Sequence, residues 1–220
     1  GGKKLALVGP SGGGKTTICH LLPRFYLNEE GSIYIDNQNI NNVTLESLRK
    51  NIGIVQQDVF LFNGSIKDNI LYGNLNASNE EVVEAAKRAN IHDYITSLPK
   101  GYDTQIGERG VKLSGGQKQR LSIARALVKD PEILILDDSL SAVDALTETN
   151  IIKHLKESRN NKTNIIVAHR FSAVAGADKI IVMQNGKITD VGTHKELLKY
   201  DNWYKEQYLR QIKGDRYEKL

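Results

Sequence analysis

The sequence predicts an α/β fold: a mostly parallel sheet wrapped by helices, with a helical subdomain inserted into it. Short β-branched runs alternate with helical segments along the chain, which is typical of parallel sheets covered by helices. A glycine-rich loop joins the first predicted strand to the first predicted helix. The chain has 220 residues, 40% of them apolar, which is enough for one globular domain with its own core.

The first part of the chain predicts three strands and two helices. A strand over residues 5–8 leads through the glycines into a helix over about residues 15–25. A strand over residues 31–35 ends in a polar turn at 36–42. A short helix over 45–50 then precedes a strand over 52–55.

Helical patterning dominates the middle of the chain. Between about residues 65 and 98, Ser78 or Asn79 can cap a helix with an apolar face. Residues 99–110 form a loop, and another helix runs from near Ser114 to about Val128. We expect a helical subdomain over about residues 64–128, inserted into a sheet domain made of about residues 1–63 and 129–200.

The remaining segment predicts the rest of the sheet and a helical tail. Strands are expected over residues 133–136, 164–168, 180–183 and 187–191, with a helix over about 146–158. Asn185 and Gly186 predict a hairpin turn between the last two strands. In the tail, residues 201–220, the expected packing residues are Trp203, Tyr204, Tyr208 and Leu209.

Composition excludes several classes of protein. The mean hydropathy is −0.40, and no apolar run approaches the roughly 20 residues of a membrane-spanning helix. The first strand is too short to be the apolar part of a signal peptide. The single cysteine, Cys19, excludes a disulfide framework and fits a reducing compartment. We expect Cys19 to be a small packing residue without a redox role.

The charge balance favours an ordinary solvated surface. The net charge is +4 and the pI about 9.0, which alone is compatible with nucleic-acid binding. The lysines are scattered among acidic residues, with no basic run and no interleaved aromatics. No nucleic-acid partner is therefore expected, although a weak attraction to an anionic membrane surface stays open.

The glycine-rich loop matches the phosphate-binding pattern of P-loop proteins. Glycines let backbone N–H groups curl around phosphate oxygens, and the following helix N-terminus favours an anion. Lys15 can reach the β- and γ-phosphates, the Thr16 hydroxyl can ligate Mg²⁺, and Thr17 adds a phosphate contact. The pattern indicates nucleotide binding but not which kind of protein uses it. The predicted loop consists of Gly9, Pro10, Ser11, Gly12, Gly13, Gly14, Lys15 and Thr16.

Asp137 follows a buried apolar strand, which is the second half of a P-loop site. A carboxylate at the carboxyl end of such a strand can hold Mg²⁺ through water. Helix capping or a surface position is the alternative for an isolated aspartate, but the preceding apolar run in a chain with a phosphate loop favours the metal role.

A second anion-binding pattern precedes the helix that begins near residue 114. A serine cap and two glycines leave free N–H groups at a helix start. Since the chain already has one phosphate loop, this second pattern suggests a site for a partner's nucleotide. It resembles the signature of ABC ATPases. The residues are Leu113, Ser114, Gly115, Gly116 and Gln117.

Three further motifs extend the resemblance along the chain. Gln57 is similar to the glutamine of the Q-loop, which in the family touches Mg²⁺ or the attacking water and links the site to the membrane partner. Asp144 matches the D-loop at the dimer interface. His169 matches the switch histidine that contacts the γ-phosphate.

Two segments are similar to exporters within the family. Glu108 and Arg109, just before the signature, resemble the exporter loop that contacts coupling helices of the membrane domains. Residues 58–66, followed by Asn69 and Ile70, are exporter-like as well. A local surface ion pair is the alternative interpretation of Glu108 and Arg109.

The chain departs from the family pattern at Asp138. The family's general base is a glutamate, and an aspartate is one methylene shorter; poor base geometry costs about 10²- to 10⁴-fold in rate. With its intact signature, the chain resembles the degenerate-site subunit of heterodimeric multidrug or lipid exporters. The adenine-stacking aromatic and part of an antiparallel edge sheet are expected upstream of Gly1.

The resemblance implies an ATPase that uses ATP and Mg²⁺ to power export as a head-to-tail dimer. Its implied partners are a second nucleotide-binding domain, identical or different, and transmembrane domains that attach it to the cytoplasmic face of a membrane. The alternatives are an ATP-gated, non-hydrolytic dimerisation module, a soluble ABC ATPase of DNA repair or translation, and an importer ATPase. The transported substrate is not encoded in these motifs.

Overall fold

The computed structural model describes residues 1–107 and 113–217, and its centre is a six-stranded sheet. The strand order across the sheet is β10-β9-β1-β8-β7-β4; β9 and β10 are antiparallel, and the other neighbours are parallel. Two small antiparallel pairs, β2–β3 and β5–β6, lie apart from it. The strands are β1 (Lys4–Val8), β2 (Tyr34–Ile35), β3 (Gln38–Asn39), β4 (Ile52–Val55), β5 (Gly64–Ser65), β6 (Gln105–Ile106), β7 (Ile133–Asp137), β8 (Thr163–Val167), β9 (Lys179–Gln184) and β10 (Lys187–Gly192).

In the part of the chain that the structure describes, ten α-helices connect and cover these strands. Four of them begin with a reciprocal capping box, at Ser65, Ser78, Ser114 and Thr193, where side chains satisfy the free N–H groups of the first turn. The helices are α1 (Lys15–Leu21), α2 (Leu45–Lys50), α3 (Ile66–Leu71), α4 (Asn79–Arg88), α5 (His92–Ser97), α6 (Gly115–Val128), α7 (Ala145–Ser158), α8 (Phe171–Val174), α9 (His194–Leu197) and α10 (Trp203–Tyr217).

The central sheet is buried on both faces, so alternate residues of a strand enter different cores. In β7, Ile135 packs with Cys19 of α1 on one face, while Leu134 and Leu136 join the larger core on the other. Helices α3 to α8 contribute to that larger core. Burying each such leucine or isoleucine stabilises the fold by roughly 1.5–3 kcal/mol.

The parallel order places several chain segments at one edge of the sheet. Strands β1, β4, β7 and β8 run in the same direction. The residues that follow their carboxyl ends therefore lie on the same side of the sheet, where ligands of open α/β sheets bind. These residues are Gly9, Gln56, Asp138 and Ala168.

The predicted elements differ from the structure mainly at their ends. Helix α1 ends at Leu21 instead of residue 25, since Pro23 follows and Arg24 has a positive φ of 53°. The strand expected over 31–35 is reduced to β2. Asp36 and Asn37, with φ of 48° and 63°, turn the chain directly into β3.

Two expectations about side chains have opposite outcomes. Cys19 is fully buried, as predicted, and burial raises the pKa of its thiol to about 12, so it stays protonated. In the tail, Tyr204 is fully buried and Trp203 and Tyr208 pack on the core, but Leu209 is 47% exposed, so its predicted packing role is wrong. Helix α10 turns Leu209 away from the docked face.

Across residues 1–107 and 113–217, we find no helix that combines the length and apolar character needed to cross a bilayer.

Candidate nucleotide site

The phosphate loop is a tight backbone arch that requires glycine. Gly9, Gly12 and Gly14 have φ of 146°, 75° and 97°, where other residues are strained. A Cβ on Gly9 would lie 2.0 Å from the carbonyl oxygen of Met183, and one on Gly13 would lie 2.8 Å from the same atom. The loop is thus pressed against the backbone of β9, and side chains at these positions would push it out of shape.

The inner side of this arch presents unpaired backbone donors. Gly13 N donates to Pro10 O at 3.1 Å, which closes the turn. Within the described residues, no backbone acceptor is found for the N–H groups of Gly12, Gly14 or Lys15. Free N–H groups converging beside a lysine form a cradle for an anion such as phosphate.

Lys15 is held inside the loop. Its Nζ donates to the carbonyl oxygens of Gly9 and Pro10, both at 2.9 Å, and the residue is 7% exposed. Burial lowers the pKa of Lys15, while the carboxylates of Asp137 and Asp138 act in the opposite direction. An ammonium has three donors, so one N–H remains for a ligand.

Thr16 and Asp137, two of the three residues that the sequence predicted as Mg²⁺ ligands with Gln57, lie side by side. Thr16 Oγ1 donates to Asp137 Oδ1 at 3.2 Å, and Asp137 is buried at the end of β7. No group of three or more histidine, cysteine or acidic side chains suited to a metal occurs in the described part of the chain. A pair of hard oxygen ligands fits Mg²⁺, which usually keeps several waters and binds substrate phosphates.

Asp138 occupies a strained position next to this pair. Its φ is 48°, a left-handed conformation that aspartate tolerates better than most residues, and its N–H donates to Val167 O at 3.0 Å. Burial raises the pKa of Asp138; the neighbouring charge of His169 opposes this, and Asp137 reinforces it. The carboxyl is therefore a better proton acceptor than an exposed aspartate.

Gln57 and His169 lie at the same edge but make no contact with the Thr16–Asp137 pair. Both are exposed, following β4 and β8 respectively. Ser11 and Thr17 are exposed as well. The edge thus has room for a ligand between these side chains.

The signature residues begin helix α6. Ser114 Oγ accepts from Gln117 N at 3.2 Å, and Gln117 Oε1 accepts from Ser114 N at 2.8 Å, so both side chains are used as a capping box. The Ser114 hydroxyl keeps its own proton for a further acceptor. Leu113 is buried beneath the turn.

Gly116 has a packing role that sequence reasoning did not predict. A Cβ on Gly116 would lie 2.8 Å from Ala142 O, whereas one on Gly115 would lie in ordinary contact with Ala142 Cβ at 3.5 Å. Close approach of α6 to the loop before α7 therefore requires glycine at 116.

Asp144 caps helix α7. Its Oδ1 accepts from Thr147 N at 2.9 Å, and this hydrogen bond lowers the pKa of Asp144. The other carboxylate oxygen is exposed to solvent or to a partner surface. Glu108 and Arg109 lie outside the described residues.

Sequence reasoning missed Gln119, which joins the signature helix to the loop before α7. Gln119 is 5% exposed; its Oε1 accepts from Ala142 N at 2.9 Å, and its Nε2 donates to Ser141 Oγ at 3.3 Å. Its position in a polar helical turn gave no sign of burial. The sequence feature that could have identified Gln119 is an amide side chain two residues after the signature.

Arg170 and Glu148 were missed for a similar reason. Arg170 donates to Val143 O and, at 3.2 Å, to Glu148 Oε2. Glu148 is 1% exposed, and burial raises its pKa while Arg170 lowers it. In the sequence, Glu148 looks like an ordinary acid of a first helical turn. The pair ties the His169 loop to the segment that contains Asp144.

The comparisons with known proteins agree with this geometry. A profile of the ABC transporter family matches residues 1–141. A mitochondrial iron-sulfur clusters transporter, ABCB7, of Oryzias latipes is 52% identical over 197 residues, which are 90% of this chain and 26% of that protein. ABC transporter B family member 2 of Dictyostelium discoideum is 48% identical over 212 residues, covering 96% of this chain and 15% of that protein.

A solved structure gives the same result for the fold. The structure of a bacterial Atm1-family ABC exporter with ATP bound has a TM-score of 0.93 and 50% identity, over 96% of this chain and 37% of that one. The chain therefore spans well under half the length of the relatives it matches. With the family profile matching most of the chain and the phosphate loop formed as described, the chain belongs to the ABC transporter family, as an ATPase domain of it.

Proposed function

We propose that this domain binds and hydrolyses ATP to power export across a membrane. The observation that supports it most directly is the juxtaposition of an arch of free N–H groups around Lys15 with the Thr16–Asp137 pair. Lys15 and the backbone of residues 9–16 bind the phosphates, and Thr17 adds a contact. The similarity to exporters supports the direction of transport.

The Thr16 hydroxyl and the Asp137 carboxylate hold Mg²⁺, with Gln57 at the same edge as a further ligand or water contact. When bound, Mg²⁺ neutralises charge on the phosphates. His169 contacts the γ-phosphate and, with Asp138, orients the attacking water. Asp138 accepts its proton, for which its raised pKa is an advantage over an exposed aspartate.

The domain acts as a head-to-tail dimer with a second nucleotide-binding domain. Ser114 caps a helix of 14 residues that begins at Gly115, and Ser114 and Gly115 are exposed while Gly116 packs against the loop that contains Ala142. The N–H groups at this helix start and the Ser114 hydroxyl bind the nucleotide held by the partner's phosphate loop. Asp144, exposed at the start of α7, lies at that interface.

The shorter base at position 138 makes this the weaker site of a heterodimer. A carboxylate must come within about 2.6–3.2 Å of the proton it removes or use a water. Asp138 is one methylene shorter than glutamate and is fixed by the bond from its N–H to Val167 O. The site then binds ATP well and hydrolyses it slowly, while a partner with an intact base turns over faster.

The domain couples to transmembrane domains at the cytoplasmic face of a membrane. When the dimer reopens after phosphate loss, Gln57 and the loop of Glu108 and Arg109 transmit that motion to the transmembrane domains. A cluster of aromatic side chains close in sequence to Gln57 supports a contact surface there: Phe60 and Tyr72 are 53% and 59% exposed, and the rings of Phe62 and Tyr72 stack at 3.9 Å.

Steady-state ATPase activity of the parent, beside Asp138→Glu and with Lys15→Ala as the blank, tests this proposal. We expect the parent near the blank and the glutamate variant much faster. A parent that already turns over well, with little gain from glutamate, would make Asp138 a sufficient base and favour a symmetric homodimer.

An ATP-gated dimerisation module without hydrolysis is the second candidate, and the short base at 138 is the observation that favours it. It predicts that ATP doubles the molecular mass of the parent in light scattering without phosphate release. Phosphate release by the parent above the Lys15→Ala blank, measured in a single turnover at high enzyme concentration, would exclude this class.

A further inference from the structure

A cavity separates the start of the phosphate loop from the last helix. Its volume is about 350 Å³. Gly9 and His169 line one side, and Trp203, Gln207 and Arg210 of α10 line the other. The His169 loop therefore faces open space on this side, and its position depends on the few contacts that bridge to α10.

Helix α10 is fixed to the domain by an aromatic face. Phe171, the first residue of α8, meets Tyr204 edge-on at 4.9 Å and Tyr208 at 5.5 Å. Tyr204 is fully buried, and its hydroxyl lies 2.7 Å from His194 Nδ1. Residues at spacings of three and four share one face of a helix, so Gln211 continues the face of Tyr204 and Tyr208.

Gln211 bridges from this face to the His169 loop. Its Oε1 accepts a hydrogen bond from Phe171 N at 3.0 Å. Helix α8 has no cap of its own, because the side chain of Arg170, its N-cap residue, makes no capping bond. Gln211 thus supplies from α10 the acceptor that a capping residue normally provides.

Besides the packing of the Phe171 ring on α10, polar side chains hold the His169 loop at two points. The Arg170 side chain ties it to Val143 and Glu148 on the side of α7. Gln211 ties it to α10 on the opposite side, two residues after His169. Without the Gln211 bond, only the packing of the Phe171 ring holds the loop on this side, next to a cavity that gives it space to move.

We propose that Gln211 is a positioning residue, which sets the place of the His169 imidazole relative to the phosphate loop through Phe171 N. This inference rests on the proposed role of His169 at the γ-phosphate. Within the described residues, no hydrogen bond joins Gln211 to the loop of residues 9–16, so we expect it to act on turnover and not on nucleotide affinity.

The test compares Gln211→Leu with Gln207→Leu and Gln211→Glu. Gln207 is a matched control: it is half-buried on the same helix, it lines the same cavity, and no hydrogen bond of its side chain is found among the described residues. Glutamate at 211 keeps an acceptor for Phe171 N. The chain has five histidines, so their ring ¹H–¹³C resonances can be assigned by single His→Gln variants.

We expect Gln211→Leu alone to shift and broaden the His169 ring resonance, with Gln211→Glu restoring it. In the faster Asp138→Glu background, Gln211→Leu should lower kcat about tenfold with KM unchanged, the scale of a small misplacement of a reacting group. Gln207→Leu should change neither quantity. The Trp203 fluorescence of each variant reports whether α10 is still docked.

An unchanged His169 resonance in docked Gln211→Leu, or equal effects of the two leucine variants, would overturn the inference. If Gln211→Leu undocks α10, the Gln211→Glu variant is the deciding test. A His169 resonance that is displaced in this variant, although the acceptor for Phe171 N is retained, would contradict the role of Gln211. Absence of turnover above Lys15→Ala in every background would refute the proposed function, while the histidine spectrum would still test the role of Gln211.

Discussion

Asp138 shows how one residue combines backbone strain, burial and charge. Its φ of 48° suits aspartate, and the structure leaves its carboxyl partly buried beside Asp137 and His169. Burial favours the neutral acid, whereas the positive charges of His169, Lys15 and Arg170 favour the carboxylate. The balance raises the pKa of Asp138, which makes its proton affinity higher than its residue type suggests.

The pH dependence of hydrolysis follows from this shift. A carboxyl whose pKa is raised loses its base form as pH falls through that raised value, so activity is lost at a higher pH than for an exposed aspartate. We expect the hydrolysis rate to fall on the acid side at a pH above that expected for an exposed aspartate. Because the steady-state rate of the parent is expected near the blank, the measurement is single-turnover phosphate release at high enzyme concentration, followed from neutral to acidic pH for the parent and Asp138→Asn. The asparagine variant should lack the acid limb. An identical limb in both would assign it to another group.

At the scale of elements, the domain joins its functional loops by buried polar side chains. Gln119 of α6 binds the loop that contains Ser141 and Ala142, and Arg170 binds the following residues. Gly116 lets the two segments approach closely. The signature, the loop before α7 and the His169 loop therefore form one hydrogen-bonded unit.

Removal of the Gln119 amide tests this connection. Gln119→Met keeps the volume but leaves Ala142 N without its acceptor, which we expect to lower the free energy of unfolding by about 1–3 kcal/mol. Lys118→Met, on the same helix turn, is the control and should stay within about 0.5 kcal/mol of the parent. Urea denaturation of both variants gives these values. A similar small change in both variants would mean that the hydrogen bonds of Gln119 contribute little to the free energy of unfolding.

At the scale of the whole molecule, the two features that we propose to bind anions belong to different lobes. The arch of residues 9–16 follows β1 of the sheet, and Ser114 begins α6, which packs with α3 and α4. One nucleotide between two copies would use one feature from each, which is the geometry of a symmetric, reciprocal interface.

Complementation between variants tests that geometry. Lys15→Ala removes the loop cation, and Ser114→Arg blocks the helix start, so each variant alone should be inactive. A mixture contains dimers in which an intact loop faces an intact signature, and activity should return. The Asp138→Glu background supplies a measurable rate, and phosphate release against mixing ratio is the measurement. No recovery at any ratio would contradict a shared site.

The sequence by itself determined the fold class, the phosphate loop and the signature. These features depend on local rules: glycines where φ is positive, a serine before a helix, apolar runs for buried strands. The strand at 52–55 and the helix at 45–50 match the structure residue for residue. Such patterns are readable because each is set by neighbours in the chain.

Tertiary structure decided what depends on distant neighbours. Several features arise from contacts between segments that are far apart in the chain. They are the burial of Gln119 and Glu148, the raised pKa of Asp138, and the hydrogen bond from Phe171 N to Gln211. The exposure of Leu209 beside the buried Tyr204 was likewise set by the docking of α10 on α8 and α9. A polar side chain's burial and proton affinity depend on which segments fold around it, and local sequence does not contain that information.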